Sequence, residues 1–316
     1  MTTVLAQPRP LAPPTASVAV DPATPGGPSS AAPGHDPAPG RQIALLAFLM
    51  LVIISGAVLA EAVLFSGLQH EAAQTRAFAS FRGALARGEA PVGQLDRAGN
   101  LLRFGTPVAL LEVPAIGMHE VVGEGTTAAV LTSGPGHGRT SPLPGQTGTS
   151  VIMGRRAAFG GPFKRLSQLR AGAVITLTTG QGRSQYKVID VRHAGDPLPP
   201  PPTAGQGRLE LVTADGSAFA PTGAVYVDAD LTTEVFESPP RARAVLALSE
   251  RPLGTDRSAS WALVLWLQVM IGVALGAVWS WFRWGRIQTW IVFVPMAILA
   301  SVGAAEGFLR LLPNLT

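Results

Sequence analysis

The chain of 316 residues contains no cysteine. That excludes a disulfide framework, a thiolate metal site and a cysteine nucleophile. Charge is also scarce. Asp, Glu, Lys and Arg make up 14% of the residues against 47% hydrophobic, where an ordinary soluble domain carries about 25% charged residues. The balance points to a membrane protein. The net charge of +4 is mild, and no basic run with interleaved aromatics is present, which argues against a nucleic-acid partner. The sequence predicts no metal and no cofactor. What is abundant is Gly (36) and Pro (28), and their uneven placement divides the chain.

Residues 1–40 are dominated by Pro, Ala, Gly, Ser and Thr. They offer few large apolar side chains for a core, so a disordered tail is expected. It is too long and too poor in basic residues for the start of a simple signal peptide. Residues 41–68 hold the first long apolar run, long enough at ~1.5 Å per residue to cross a hydrocarbon layer of ~30 Å. Glu61 interrupts its far end and is expected at the interface, because carboxylates within the membrane are costly and rare. Residues 69–103 read as a helical stalk followed by a turn-rich linker.

From 104 to 233 the texture changes. Short apolar segments recur at 108–113, 121–122, 150–153, 174–179, 185–191, 209–213 and 225–229, with Gly, Pro and Asp clusters between them. Segments of that length with those punctuations are strands joined by hairpins and loops. Only 162–170 reads as helical, with Phe163, Leu166 and Leu169 on one face. About 130 residues suffice for one such core. The expected fold is mainly β, a closed or nearly closed β-barrel with one or two short helices, accompanied by three transmembrane α-helices.

Residues 234–260 form a second linker. The second and third apolar spans are 261–281 and 287–309, and Trp261, Trp281, Trp284 and Trp290 lie near their ends, as an aromatic belt requires. The short loop between them carries Arg283 and Arg286 without a nearby acid, which places it in the cytoplasm. Three crossings then put the amino terminus in the cytoplasm and the barrel outside a plasma membrane. Glu306 and Arg310 stand four apart, the spacing of an interfacial ion pair. A carboxylate facing another helix is the alternative.

The barrel text resembles the sortases, most closely the actinobacterial class E type. The resemblance covers 104–231. It rests on Leu111-Glu112-Val113-Pro114-Ala115-Ile116-Gly117, on Gly134-Pro135-Gly136-His137, on Pro142-Leu143-Pro144-Gly145-Gln146-Thr147-Gly148, on Phe159-Gly160-Gly161-Pro162-Phe163 and on Leu211-Val212-Thr213. Sortases are membrane-anchored cysteine transpeptidases that cut a sorting signal such as Leu-Pro-any-Thr-Gly and pass the acyl group to a cell-wall or pilin amine. The resemblance implies three catalytic side chains: a cysteine nucleophile, a histidine acid and an arginine that stabilises the oxyanion or positions the substrate. It also implies where they would stand. The histidine position holds Arg155, in Gly154-Arg155-Arg156. The cysteine position, after Thr213, holds Ala214. The arginine position, opening the last strand, holds Ala224.

An alanine methyl cannot form an acyl-enzyme, and a guanidinium with a pKa above ~12 is no general acid near neutral pH. Retained loops without the reacting groups suggest a pseudoenzyme. It would bind a sorting signal or a partner, such as a surface protein, an active sortase or another membrane protein, in surface-protein assembly at the cell wall. A ligand groove would involve Arg155, Arg156, Thr213, Ala214 and Asp215. The two arginines could grip a carboxylate or phosphate, or Arg155 simply fills a vacated place. Asp215 is expected as a turn residue. Two alternatives stand beside this. One is an active transpeptidase or protease using a hydroxyl of Thr213, Ser217 or Ser150 with His193 or His137 as base. His193 is expected to be exposed, while His119 and His35 fall elsewhere. The other is a structural subunit of a membrane complex, whose groove is filled by its own side chains. The proline run 197–202 would be a stiff segment near the groove or an inert loop.

Overall fold

The computed structural model describes residues 66–217, 221–240 and 259–311, and a few isolated positions that include Glu250 and Leu315. The amino-terminal tail, most of the expected first span, Glu61 included, and most of 241–258 lie outside the described residues.

Eight strands close into a barrel: β1 (Pro107–Val113), β2 (Met118–Glu124), β3 (Gly136–His137), β4 (Gly148–Met153), β5 (Val174–Thr179), β6 (Gly182–His193), β7 (Gly207–Gly216) and β8 (Pro221–Leu231). Their order around the barrel is β1-β2-β3-β4-β7-β8-β6-β5. The β2–β3 and β4–β7 pairs are parallel and the others antiparallel. Every expected strand is present. The two-residue β3 is too short to carry a periodic signal, and its pairing rests on β2 and β4.

Side-chain alternation divides the strands between two cores. Leu209, Leu211, Ile152 and Val227 face the barrel interior with Val108, Leu111, Phe163 and Leu177. The intervening positions Val212, Ala214, Met153 and Ala224 face the other way and form a second cluster. β7 is therefore covered on both faces for most of its length, which explains its near-continuous apolar text.

One expectation is corrected here. The helix over 162–170 is a single 3₁₀ turn, Leu166–Gln168. Phe163, Leu166 and Leu169 are all buried, but a spacing of three matches the 3₁₀ period better than the α period. The expected stalk is helical over part of its length. Helix α1 (Ser66–Ala86) lies against the barrel, where the Gln74 side chain donates to the Val121 and Ser133 carbonyls and accepts the Val121 N–H at 2.7 Å. A second short helix, α2 (Ala128–Leu131), is capped by Thr127.

Among the described residues, two helices are long and apolar enough to cross a membrane: α3 (Ala259–Arg283) and α4 (Arg286–Leu311). Little of their surface is buried, unlike that of a core helix in a soluble protein. They pack as a hairpin through small residues. A Cβ at Gly303 would meet the Trp266 ring at 2.2 Å, one at Gly276 would meet Phe293 at 2.9 Å, and Ala277, Ala300, Ala304 and Ser301 are buried. Small residues of this kind let membrane helices approach closely.

Candidate functional site

The positions singled out in the sequence meet at one end of the barrel because β4, β7 and β8 are adjacent. Met153 pairs with Val212, and Ala214 stands directly opposite Ala224. Beyond β4 the ladder continues through the Gly154 N–H, which donates to the Val212 carbonyl at 3.0 Å. Gly154 has to be glycine. A Cβ there would lie 2.6–2.8 Å from three atoms of the Phe163 ring.

Arg155 follows and has no exposed surface. Its guanidinium lies 5.2 Å from the centre of the Phe159 ring. Burial pushes its pKa down to about 10, so it remains a cation at neutral pH. The loop that holds it is tightly wound. Phe159 has φ 51°, and Gly160 and Gly161 follow at 75° and 53°. His70 of α1 covers the loop so closely that a Cβ at Gly160 would lie 2.7 Å from its ring.

Arg156 reaches the same strand ends from the side. Its Nη1 donates to the Ala214 carbonyl at 3.2 Å and lies 3.6 Å from Asp215 Oδ1. Asp215 is not a turn residue. It is the penultimate residue of β7, and its carboxylate accepts from His193 Nδ1 at 2.7 Å and from the Gly216 N–H. These bonds, with His193 first and Gly216 and Arg156 also contributing, hold its pKa below the usual aspartate value against a smaller effect of burial. His193 is the last residue of β6 and is exposed.

The hydroxyl candidates lie in different surroundings. Thr213 points to the opposite face from Ala214 and donates its hydroxyl to the Gly154 carbonyl at 2.9 Å. Ser150 is buried within β4, and Ser217 is exposed beyond β7. His137 is fully buried. Its Nδ1 lies 3.0 Å from Glu124 and its Nε2 2.9 Å from the Pro142 carbonyl. A carbonyl only accepts, so Nε2 is the donor there and is not a base for Ser141, whose hydroxyl sits 3.2 Å away. Ser141 itself donates to the Gly138 carbonyl. This buried group ties the 136–142 loop down. The proline run is anchored at the far end of β7, where the Pro200 carbonyl accepts from Arg208 Nη1 at 2.5 Å.

One participant had no signal in the sequence. Leu315, beyond α4, is fully buried in the cluster formed by Leu131, Met153, Val212, Ala214 and Ala224. Its carbonyl accepts the Arg156 N–H at 3.0 Å. No group of His, Asp and Glu among the described residues could hold a metal ion.

Residues 111–231 match the family model described as a sortase domain. Sortase D of Bacillus subtilis (strain 168) is 30% identical over 101 residues, or 31% of this chain and 50% of the relative. The chain thus spans about half the length of the curated relative it matches. Among solved structures, the Clostridium perfringens Sortase D5 transpeptidase is 20% identical. It covers 51% of this chain and 99% of its own, at a TM-score of 0.43. Sortase E from Streptomyces avermitilis is 26% identical over 42% of this chain and 91% of its own, at a TM-score of 0.36.

Proposed function

We propose that the protein is a membrane-anchored pseudo-sortase, which binds a sorting signal or a partner protein without cutting it; the match of residues 111–231 to the sortase domain model supports this reading. The observation that carries this reading is the chemistry at the converging strand ends. Ala214 and Ala224 face each other where the family resemblance implies the nucleophile and the arginine, and a chain with no cysteine cannot supply a thiolate from elsewhere. Arg155, in the acid's place, is a buried cation that keeps its proton near neutral pH. Sortases bind sorting motifs of surface proteins, and such a peptide is the ligand class this groove inherits.

In this reading α3 and α4, with the apolar run 41–68, anchor the protein in the plasma membrane. The Arg283–Arg286 turn lies in the cytoplasm, and the barrel lies outside. The amino terminus is then cytoplasmic.

The burial of Leu315 beside Ala214 favours a second reading, in which the groove is filled by the chain itself and the barrel is a structural subunit of a membrane complex. Titrating the full chain in detergent with labelled sorting peptides, and following binding and cleavage together, separates the possibilities. Saturable binding without cleavage is expected for the pseudo-sortase. Cleavage would refute it, and the absence of both would leave the structural subunit.

A further inference from the structure

The proline run 197–202 is a motif that the function proposed above does not use. It lies between β6 and β7 and belongs to no helix or strand. It reads Pro197-Leu198-Pro199-Pro200-Pro201-Pro202. Each proline ring fixes φ near about −65°, and each residue before a proline is pushed to an extended conformation. Together these dictate a polyproline II helix, with about 3 residues per turn and a rise of ~3.1 Å per residue. The run therefore makes two turns over roughly 19 Å.

Burial follows the same period. Pro199 and Pro202 are half-buried, while Pro197, Leu198, Pro200 and Pro201 are exposed. One ridge of the helix is seated on the protein and the other two face outward. Leu198 is 76% exposed, against 51% for Phe104, the next most exposed large apolar side chain among the described residues of 104–231. The run is also held in place. Before it, Asp196 Oδ2 accepts the His193 N–H at 2.7 Å. In its middle the Pro200 carbonyl accepts from Arg208 Nη1, and Arg208 Nε donates to Asp230 Oδ1 at 2.7 Å. After it, the Gln206 N–H donates to the Thr203 carbonyl, and the Gln206 carbonyl accepts the Gly148 N–H, both at 3.0 Å.

Chemistry narrows what can recognise the outward face. Proline has no N–H, so Leu198 carries the run's sole backbone donor. A partner that pairs by strand addition would find no ladder there. No residue of the run is charged, so an ionic rim would gain nothing. What remains is flat proline rings and one leucine on a helix that is already ordered before binding. Aromatic-lined grooves read such a surface. We propose that the outward face of 197–202 is a docking ligand for a partner protein with an aromatic-walled groove, which takes the prolines between its rings and Leu198 in an apolar pocket. Arg208 stands six residues before Ala214 on β7, roughly 20 Å at ~3.3 Å per residue. The dock is therefore separate from the converging strand ends, and it does not rest on the pseudo-sortase reading.

The full chain in detergent is titrated with labelled, purified WW, SH3 and EVH1 domains, whose grooves are of this kind, and binding is followed by fluorescence anisotropy. Saturable binding by at least one domain is expected. Leu198→Ala should weaken it roughly 10-fold or more, as when a leucine side chain loses its pocket. Pro201→Ala, on the same ridge, should weaken it too. Val174→Ala, at another exposed apolar side chain of the barrel, should leave it unchanged. Leu198 and Pro201 are exposed, so both variants should unfold in denaturant as the parent does, and lost binding is then lost contact.

Binding by none of the domains overturns the proposal. So does equal weakening by Val174→Ala, which marks a non-specific apolar surface. Self-association of the chain that Leu198→Ala abolishes would make a second copy the occupant and overturn it as well. Sorting-peptide binding is measured on the same variants. A peptide affinity that falls with Leu198→Ala would make the run part of the groove and overturn its separate role. A parent chain that docks a domain through Leu198 but binds no sorting peptide would refute the pseudo-sortase reading and leave this inference standing.

Discussion

Gly154→Ala tests the packing that sets the end of β4 beside Ala214. The added methyl would sit 2.6, 2.7 and 2.8 Å from three atoms of the Phe163 ring, where carbon atoms normally rest about 3.5–4.0 Å apart. The ring would have to move by nearly 1 Å. It is fully buried among Leu166, Leu211 and their neighbours, and its own N–H is fixed to the Arg155 carbonyl at 3.0 Å. Overpacking of this kind costs about 1–3 kcal/mol. Replacing glycine restricts the unfolded chain and returns roughly 0.4–1 kcal/mol, so mid-range values leave a net loss of roughly 1.3 kcal/mol and the extremes reach about 2.6 kcal/mol. Gly67→Ala in α1 is the matched control. Nothing lies within 4 Å of its Cβ position, so a small gain in stability is expected. Denaturant unfolding of the full chain in detergent, followed by Trp and Tyr fluorescence, reads both. Phe163→Leu in the same chain should recover part of the loss, since neighbours that clash are coupled by about 0.5–3 kcal/mol. Gly154 also accepts the Thr213 hydroxyl, so the variant should loosen the groove and speed maleimide modification of an Ala214→Cys thiol. A Gly154→Ala chain as stable as the parent, or no coupling to Phe163→Leu, would refute this account of the β4 end.

Other outcomes follow from the same geometry. Ala214→Cys alone should give no turnover of a sorting peptide, because Arg155 remains protonated far above neutral pH. Adding Arg155→His and Ala224→Arg should produce slow cleavage detectable by mass spectrometry, whereas turnover by the parent chain would contradict the reading. Tyr186→Phe removes the buried hydroxyl that accepts the Gly145 N–H at 2.6 Å and should destabilise by about 1–3 kcal/mol. Because burial pushes the Tyr186 phenol up to about 12, absorbance near 295 nm should show it still protonated at pH 10.5. Asp215 has a lowered folded pKa, so its stabilisation is present above its unfolded value and is lost as pH falls through the folded value. The carboxylate is a third exposed, which limits the effect to under ~1 kcal/mol. The difference in melting temperature between the parent and Asp215→Asn should be small at pH 6 and should vanish near pH 2. A difference that grows on acidification would refute it.

The barrel was legible because its strands carry strong local signals. Val174–Thr179 matches its expected bounds, and the β7 text is apolar because both faces are covered. The helix over 162–170 was misread because residues three apart satisfy α and 3₁₀ periods alike over so short a stretch. Asp215 was misread because aspartate favours turns on average, while here His193, Arg156 and Gly216 hold it in a strand. The closeness of Ala214 and Ala224 depends on antiparallel register, which no single segment encodes. Leu315 was invisible for a different reason. A lone leucine beyond a membrane helix has no periodicity, and its burial depends on a socket assembled from β4, β7, β8 and α2.

In the proposed pseudo-sortase reading, Ala214 and Ala224 stand where the resemblance implies a thiol and a guanidinium, and both belong to the buried cluster that includes Leu315. An arginine at 224 would place a cation among these apolar side chains, and a buried charge without compensation is strongly unfavourable. With both positions reduced to methyl groups, the second cluster is continuous from Leu131 to Ala224 and a leucine can complete it. An Ala224→Arg chain, with everything else unchanged, should therefore expel Leu315 and raise the reactivity of a thiol introduced at 214. If Leu315 stays buried with an arginine at 224, the apolar character of the cluster is not what holds it, and the main-chain bond from Arg156 is the dominant contact.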